Sequence, residues 1–272
     1  MVASPPTPFD ELNKVLQDLL GSVRAILADD FIGAYLQGSF AVGEFDRHSD
    51  CDFAVVINQE VLESQLRSLQ AMHQRVYDLE FEWARHLEGS YFPLPILRDH
   101  NQAGTELWYL DHGSRLLVKS PHDNTVVVRW ILRERGVTLA GPPAATLINP
   151  IPREVLRQDI LSTFANWADQ IQENPQIINN RFHQTFAVLG YCRMLHDLQT
   201  GVIGSKRSGA EWAKRHLDPS WTDLIDRAWD GRPNPALSSR EPANPVDLAR
   251  TIEFIREVLK QANELATTLE LM

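Results

Sequence analysis

Apolar residues first recur in this chain at spacings of three and four. Leu12, Leu16, Leu19, Val23 and Ile26 share one face of a helix over 10–28. Phe31 to Leu36 is a short apolar run broken by Gly38-Ser39, and it reads as a strand. Phe53 to Ile57 is a second strand, bounded by acids before it and by Asn58 after it. Helical spacing returns over 60–76, with Val61, Leu62, Leu66, Leu69 and Met72 as the apolar positions. Leu79 to Leu97 alternates loosely and contains Pro93 and Pro95, which predicts strand and then loop. Thr125 to Arg135 reads as a helix ending before Gly136.

A boundary falls near 141–152, where Gly141-Pro142-Pro143, Pro150 and Pro152 interrupt any regular element. Beyond it the strand signal vanishes. Leu156, Ile160, Phe164, Trp167 and Ile171 mark a helix over 154–172, a second covers about 181–200, and a third starts near Arg207. Residues 230–245 are rich in Pro, Ser and Asn and read as a loop. A last helix carries Leu248, Ile252, Ile255, Leu259 and Ala262. The expected fold is α+β: a mixed sheet with helices over 1–150, then an all-helical bundle over 151–272.

At 272 residues the chain is long enough for two modest domains. Hydrophobic residues at 43% and charged residues at 23% exclude a disordered or fibrous chain. A net charge of −10 argues against a nucleic-acid partner and would attract a polycationic small molecule. Cys51 and Cys192 form no CxxC pair, the usage of a reduced compartment. Met1 to Asp10 has no basic region leading into an apolar core, and no run of about 18 apolar residues occurs. A cytoplasmic protein without a membrane span is expected.

The informative segment runs from Gly38 to Asp52 and joins one strand to the next. Gly38-Ser39 ends a strand where the backbone can approach a phosphate and present N–H and hydroxyl donors. Asp50 and Asp52 alternate, so a strand puts both carboxylates on one face, about 6–7 Å apart. Such hard oxygen ligands can hold one or two Mg2+ ions, which neutralise a triphosphate and orient an attacking hydroxyl. An Asp-x-Asp alone is common in solvated turns. Strand, Gly-Ser, about ten residues, Asp-x-Asp and apolar strand together are far more specific. That combination resembles the signature of the polymerase-beta-like nucleotidyltransferase superfamily.

A third carboxylate is needed on a neighbouring strand, and Glu80, Glu82 and Glu88 are candidates. Leu87-Glu88-Gly89-Ser90-Tyr91 resembles the strand of the streptomycin/spectinomycin adenylyltransferase group, in which a Leu-Glu pair supplies the catalytic base. The resemblance therefore selects Glu88, as base and metal ligand. It continues through Tyr191-Cys192-Arg193-Met194-Leu195, Thr200-Gly201, Ser205-Lys206 and Glu211-Trp212-Ala213. It implies that Arg193 and Lys206 reach the nucleotide phosphates, the arginine as a fork and the lysine as a point charge. Without it, both read as helix-end cations facing water. Ser49, Asn124 and Trp229 are further nucleotide-binding candidates on the same footing.

The resemblance implies a Mg2+-dependent nucleotidyltransferase domain over 1–150 and a helical domain over 151–272 that contributes to nucleotide and acceptor binding. ATP is the implied co-substrate, and the implied reaction moves AMP to a hydroxyl of a cationic aminoglycoside-like molecule. Trp108, Tyr109, Trp167 and His183 are the acceptor candidates, with core packing as the alternative for the aromatic residues. Between Trp167 and Arg193 the chain departs from the family: only Asp169 and Glu173 are acidic, among Asn174, Asn179, Asn180 and His183. Competing readings are adenylylation of a protein or another metabolite, and a non-catalytic antitoxin or nucleotide sensor. Persistence of Asp50, Asp52 and Glu88 favours a working enzyme. There is no HExxH, no Gly-x-Ser-x-Gly elbow and no Walker loop.

Overall fold

Phe31–Leu36 (β1), Cys51–Ile57 (β2) and Leu87–Pro93 (β3) are the central strands of a six-stranded sheet. Leu107–Leu110 (β4), Leu117–Ser120 (β5) and Val137–Ala140 (β6) complete the order β5-β4-β3-β2-β1-β6. The helices of this part are Asp10–Leu27 (α1), Gly38–Val42 (α2), Glu63–Tyr77 (α3), Leu94–Arg98 (α4) and Val126–Arg135 (α5). A computed structural model describes residues 5–47, 49–232 and 240–270, in two units, Met1–Pro152 and Arg153–Met272. His48 of the motif and part of the loop expected over 230–245 lie outside the described residues.

β2 and β3 run parallel, whereas the other pairs are antiparallel. A parallel neighbour cannot be reached through a tight turn, and α3 provides the crossover. Along β2 the side chains alternate between two cores. Cys51, Phe53, Val55 and Ile57 join Leu12, Leu16, Leu19 and Val23 of α1 and Leu69, Met72 and Val76 of α3. Ala54 and Val56 join Tyr35, Phe92, Leu97 and Leu132 beneath α4 and α5. By the same alternation Asp52 lies on the second face, beyond the end of its apolar cover. Arg129 of α5 is fully buried and donates to the carbonyls of Ile96, Leu97 and Thr125 at 2.9, 3.2 and 3.0 Å, which ties α5 to α4. Buried charge needs such complete satisfaction.

Three differences from the sequence reading have physical causes. Gly38-Ser39 opens the short helix α2 rather than a plain turn. Pro93 and Pro95 do not leave a loop, because proline is tolerated in the first helical turn and α4 begins there. β4, β5 and β6 were not anticipated, being only four residues long each.

The second unit contains only helices among its described elements: Arg153–Glu173 (α6), Arg181–Thr200 (α7), Lys206–His216 (α8), Thr222–Asp230 (α9) and Pro245–Glu270 (α10). α7 is buried on nearly every side, from Ala187 to Leu198, and forms the centre of this unit. A Cβ on Gly209 of α8 would lie 2.5 Å from Cα of Arg193, so only glycine permits this approach of the two helices. Ser205 caps α8 by accepting from the N–H groups of Arg207 and Ser208, both at 3.1 Å. The α+β sheet unit and helical run match the expected fold class.

Candidate active site

Asp50 and Asp52 flank Cys51, the first residue of β2, and the buried Cys51 fixes its neighbours toward the opposite face. Asp52 is the register partner of Glu88 on β3, so both carboxylates rise from adjacent strands on one face. Backbone bonds lock this end of the sheet: Gln37 N–H donates to Asp52 O at 2.9 Å, and Cys51 N–H donates to His86 O at 2.7 Å. Gly38 has a φ of +56°, and a Cβ there would lie 1.8 Å from Oδ2 of Asp52. The missing side chain is thus the notch that holds the Asp52 carboxylate. Beside it, the Ser39 hydroxyl is buried with no hydrogen-bond partner, a donor left for a bound group.

Glu88 is held by β4. Tyr109 Oη lies 2.7 Å from Glu88 Oε1 and 3.1 Å from Asp111 Oδ1, and its one hydrogen serves one of them at a time. His122 Nε2 is 3.4 Å from the same Oε1. That hydrogen bond raises the His122 pKa against the opposing effect of burial. Asp123 lies behind, accepting from Ser90 Oγ at 2.9 Å; burial first, and Glu88 second, push its pKa up to about 6. Burial, reinforced by Glu88, also raises the Tyr109 phenol, which stays protonated and able to donate.

Asp50 faces a different partner. His112 Nδ1 lies 2.7 Å from its Oδ1. Burial opposes a charged His112, yet the carboxylate outweighs it and the imidazole pKa is raised. Asp50, Asp52 and Glu88 do not form one tight three-ligand cluster. Among the described residues, two groups bring their ligand atoms within 4.8 Å: Asp50 with His86 and His112, and Glu88 with His122 and Asp123. Hard carboxylates on one face, the Gly38 notch and the partnerless Ser39 hydroxyl suit Mg2+ and a phosphate group.

The other sequence candidates scatter. Ser49 accepts from Asp46 N–H at 2.9 Å and shapes the turn before β2. Asn124 is buried and donates to the carbonyls of Gln102 and Thr105 at 3.0 and 2.7 Å, which holds that loop. Trp108 and Tyr109 occupy opposite faces of β4: Trp108 packs on the α1–α3 core with Lys119 over its ring, and only Tyr109 reaches Glu88. In the helical unit, Trp167 packs on Phe186 and Tyr191, and His183 sits beside Asn180, whose side chain caps α7. Arg193 is half-buried on α7, the Lys206 ammonium lies 4.5 Å over the Phe186 ring, and Trp229 carries Arg232 at 3.9 Å. A cleft of about 380 Å³ in this unit is lined by none of these residues, and its cations are paired, Arg181 with Glu241 and Arg227 with Asp247.

His86, His112, His122 and Asp123 were missed by the sequence reading. No local pattern marks them, because the β2–β3 and β3–β4 registers bring them in. The register of Leu107–Leu110 with β3 sets Tyr109, and beyond it His112, beside the acids.

Residues 146–262 match the family described as "Aminoglycoside adenylyltransferase, C-terminal domain". Aminoglycoside (3'') (9) adenylyltransferase of Escherichia coli is 23% identical over 242 residues, covering 85% of this chain and 89% of its own length. The chain matches the aminoglycoside adenylyltransferase group at the family level. Spectinomycin 9-adenylyltransferase of Staphylococcus aureus is 23% identical over 228 residues, with 80% and 81% covered. A crystal structure of a spectinomycin adenyltransferase from Enterococcus faecialis, with ATP and spectinomycin, shares the fold with a TM-score of 0.67. That likeness has 16% identity and covers 91% of this chain and 98% of the other. The chain is an enzyme of the nucleotidyltransferase class, whose chemistry is nucleotidyl transfer to a small acceptor. Among its described residues no helix is long and apolar enough to cross a membrane.

Proposed function

We propose that this enzyme moves AMP from ATP to a hydroxyl of a cationic aminoglycoside-type antibiotic and releases pyrophosphate. The observation that carries the reading is Glu88, held by Tyr109 opposite Asp52 on the face where Asp50 also begins. Residues 1–150 act as the nucleotidyltransferase domain, and the helical domain contributes nucleotide and acceptor contacts. Asp50, Asp52 and Glu88 are the ligands for one or two Mg2+ ions, which when bound supply charge neutralisation at the phosphates. Gly38, Ser39, Arg193, Lys206 and Trp229 are assigned to the nucleotide, and Tyr109 and His183 to the acceptor, whereas Ser49, Asn124, Trp108 and Trp167 are taken up by the local packing and hydrogen bonds described above. The cell compartment is the cytoplasm.

In the transfer, the acceptor oxygen bonds to the α-phosphorus, the bond to the pyrophosphate oxygen breaks, and the hydroxyl proton passes to Glu88. Tyr109 and His122 both engage Oε1 of Glu88, so Oε2 is the oxygen assigned to that proton. The Tyr109 bond orients the carboxylate and keeps it from swinging away. The test is pyrophosphate release from ATP and Mg2+ with a panel of aminoglycosides, compared with no acceptor. Acceptor-dependent release, with an AMP-modified antibiotic by mass spectrometry, is expected. Release unchanged by every antibiotic, or AMP found on protein, would overturn the assignment.

A further inference from the structure

We propose that Asp50, His86 and His112 form a binding site for a divalent transition-metal ion of the zinc class, with nitrogen-rich ligands unlike those of a Mg2+ site. The three residues come from separate pieces of chain. Asp50 immediately precedes β2, His86 immediately precedes β3, and His112 follows the end of β4. The Cys51 N–H to His86 O bond at 2.7 Å and the Cys51–Leu87 register step place Asp50 next to His86. Their ligand atoms all lie within 4.8 Å of one another. Zinc binds nitrogen and oxygen at about 2.0–2.2 Å, so donors sharing an ion stand roughly 3–4 Å apart.

His112 and Asp50 meet as an ion pair, which brings a nitrogen and an oxygen donor to the same spot. Nδ1 lies 2.7 Å from Oδ1, closer than two donors on one ion stand, so a bound ion would replace the imidazole proton and widen this contact by roughly half an ångström or more. The ring centroids of His86 and His112 are 5.1 Å apart, inclined at 67°, which lets one nitrogen of each turn toward a shared point. His86 Nε2 is 3.9 Å from Oε1 of the exposed Glu82, a charge contact rather than a hydrogen bond. All three residues are half-buried, shielded from bulk water but reachable from it.

The chemistry selects the ion. Mg2+ prefers oxygen ligands and gives up water reluctantly, so two imidazoles serve it poorly. Two imidazoles and one carboxylate suit zinc and its borderline neighbours, with positions left open for water or a phosphate oxygen. Asp50 is also one of the acids assigned to Mg2+. A zinc-class ion therefore withdraws Asp50 from the Mg2+–nucleotide complex and inhibits transfer. This inhibition rests on the proposed function, whereas the binding does not.

Cobalt(II) is the probe, because its visible absorption reports nitrogen ligation, and Zn2+ calorimetry gives the stoichiometry. Metal-stripped full-length chain in millimolar Mg2+ is expected to bind one equivalent of either ion. His86→Ala and His112→Ala are expected to weaken binding at least tenfold and remove the cobalt band. His112→Gln, which keeps bulk and polarity, should do the same with an unchanged circular dichroism spectrum. His122→Ala, in the other cluster, should leave the band in place. Binding that survives both His86→Ala and His112→Ala, or that disappears in His122→Ala, would overturn the proposal, as would no saturable cobalt binding. Should the antibiotic assay fail, the cobalt titration still decides the site by itself.

Discussion

Asp52 and Glu88 are partners in the parallel ladder between β2 and β3, so one carboxylate stands beside the other on adjacent strands. Adjacent strands are about 4.8 Å apart, close enough for one divalent ion to touch both carboxylates and too close for two bare charges at no cost. The pair makes chemical sense when a cation lies between or beside its members.

Asp52→Asn and Asp50→Asn are each expected to abolish turnover while leaving the fold intact. Each removes one ligand charge, a loss of several kcal/mol of transition-state stabilisation, on the order of 10³-fold or more. Steady-state rates with circular dichroism of the same samples check this. A variant running at wild-type rate would move the metal site elsewhere.

Glu88→Gln is expected to bind ATP and Mg2+ near normally but to slow transfer by about 10²- to 10⁴-fold, the usual contribution of a positioned base. Nucleotide calorimetry and single-turnover rates separate the two effects. If nucleotide binding collapses instead, Glu88 is chiefly a metal ligand.

Gly38→Ala combines a left-handed backbone with a direct clash. The residue has φ +56°, and the new methyl would occupy the space of Asp52 Oδ2. Backbone strain of about 1–2 kcal/mol is expected in urea unfolding. The Asp52 side chain must also turn away, so the fall in kcat should exceed anything the stability loss explains. A stable variant with full kcat would show that the position of this carboxylate is not critical.

His73 gives the fold a defined acid limb. It is buried on α3 with Nε2 2.8 Å from Tyr91 Oη, and burial lowers its pKa to about 3. In the unfolded chain it titrates near its ordinary value of 6.5. The neutral, buried imidazole therefore contributes full stability above pH 6.5. As pH falls toward 3, the unfolded chain takes a proton that the fold refuses, costing about 1.4 kcal/mol per pH unit. Urea titrations should show a shallower decline over that window in His73→Gln. An identical slope would mean that the native imidazole accepts the proton.

The helices were legible because each carries an apolar face of three or four turns, as Leu12 to Ile26 and Leu156 to Ile171 do. Asp50 and Asp52 were legible as acids sharing one face at the head of β2, because their spacing is itself the signal. Tyr109 was named as an acceptor aromatic, but its hydrogen bond to Glu88 was not foreseen. β4 has four apolar residues and no alternation, so nothing local says which face each occupies. His86, His112 and Asp123 depend wholly on strand register, which one sequence does not encode at any fixed offset. Proline misled at α4 because its meaning reverses between the inside of a helix and its first turn.

The parallel pairing of β2 with β3 has a further consequence during synthesis. Asp50 and Asp52 leave the ribosome well before α3, β3 and β4 exist to complete their surroundings. Until then Phe53–Ile57 is a nascent apolar strand with an open edge, the kind of segment that recruits other strands or a chaperone. Asp50 and Asp52 stand at its head, where flanking charge disfavours edge-to-edge pairing. Until β3 pairs with it, the charge at its head is thus the nearest brake on association of this strand with its neighbours.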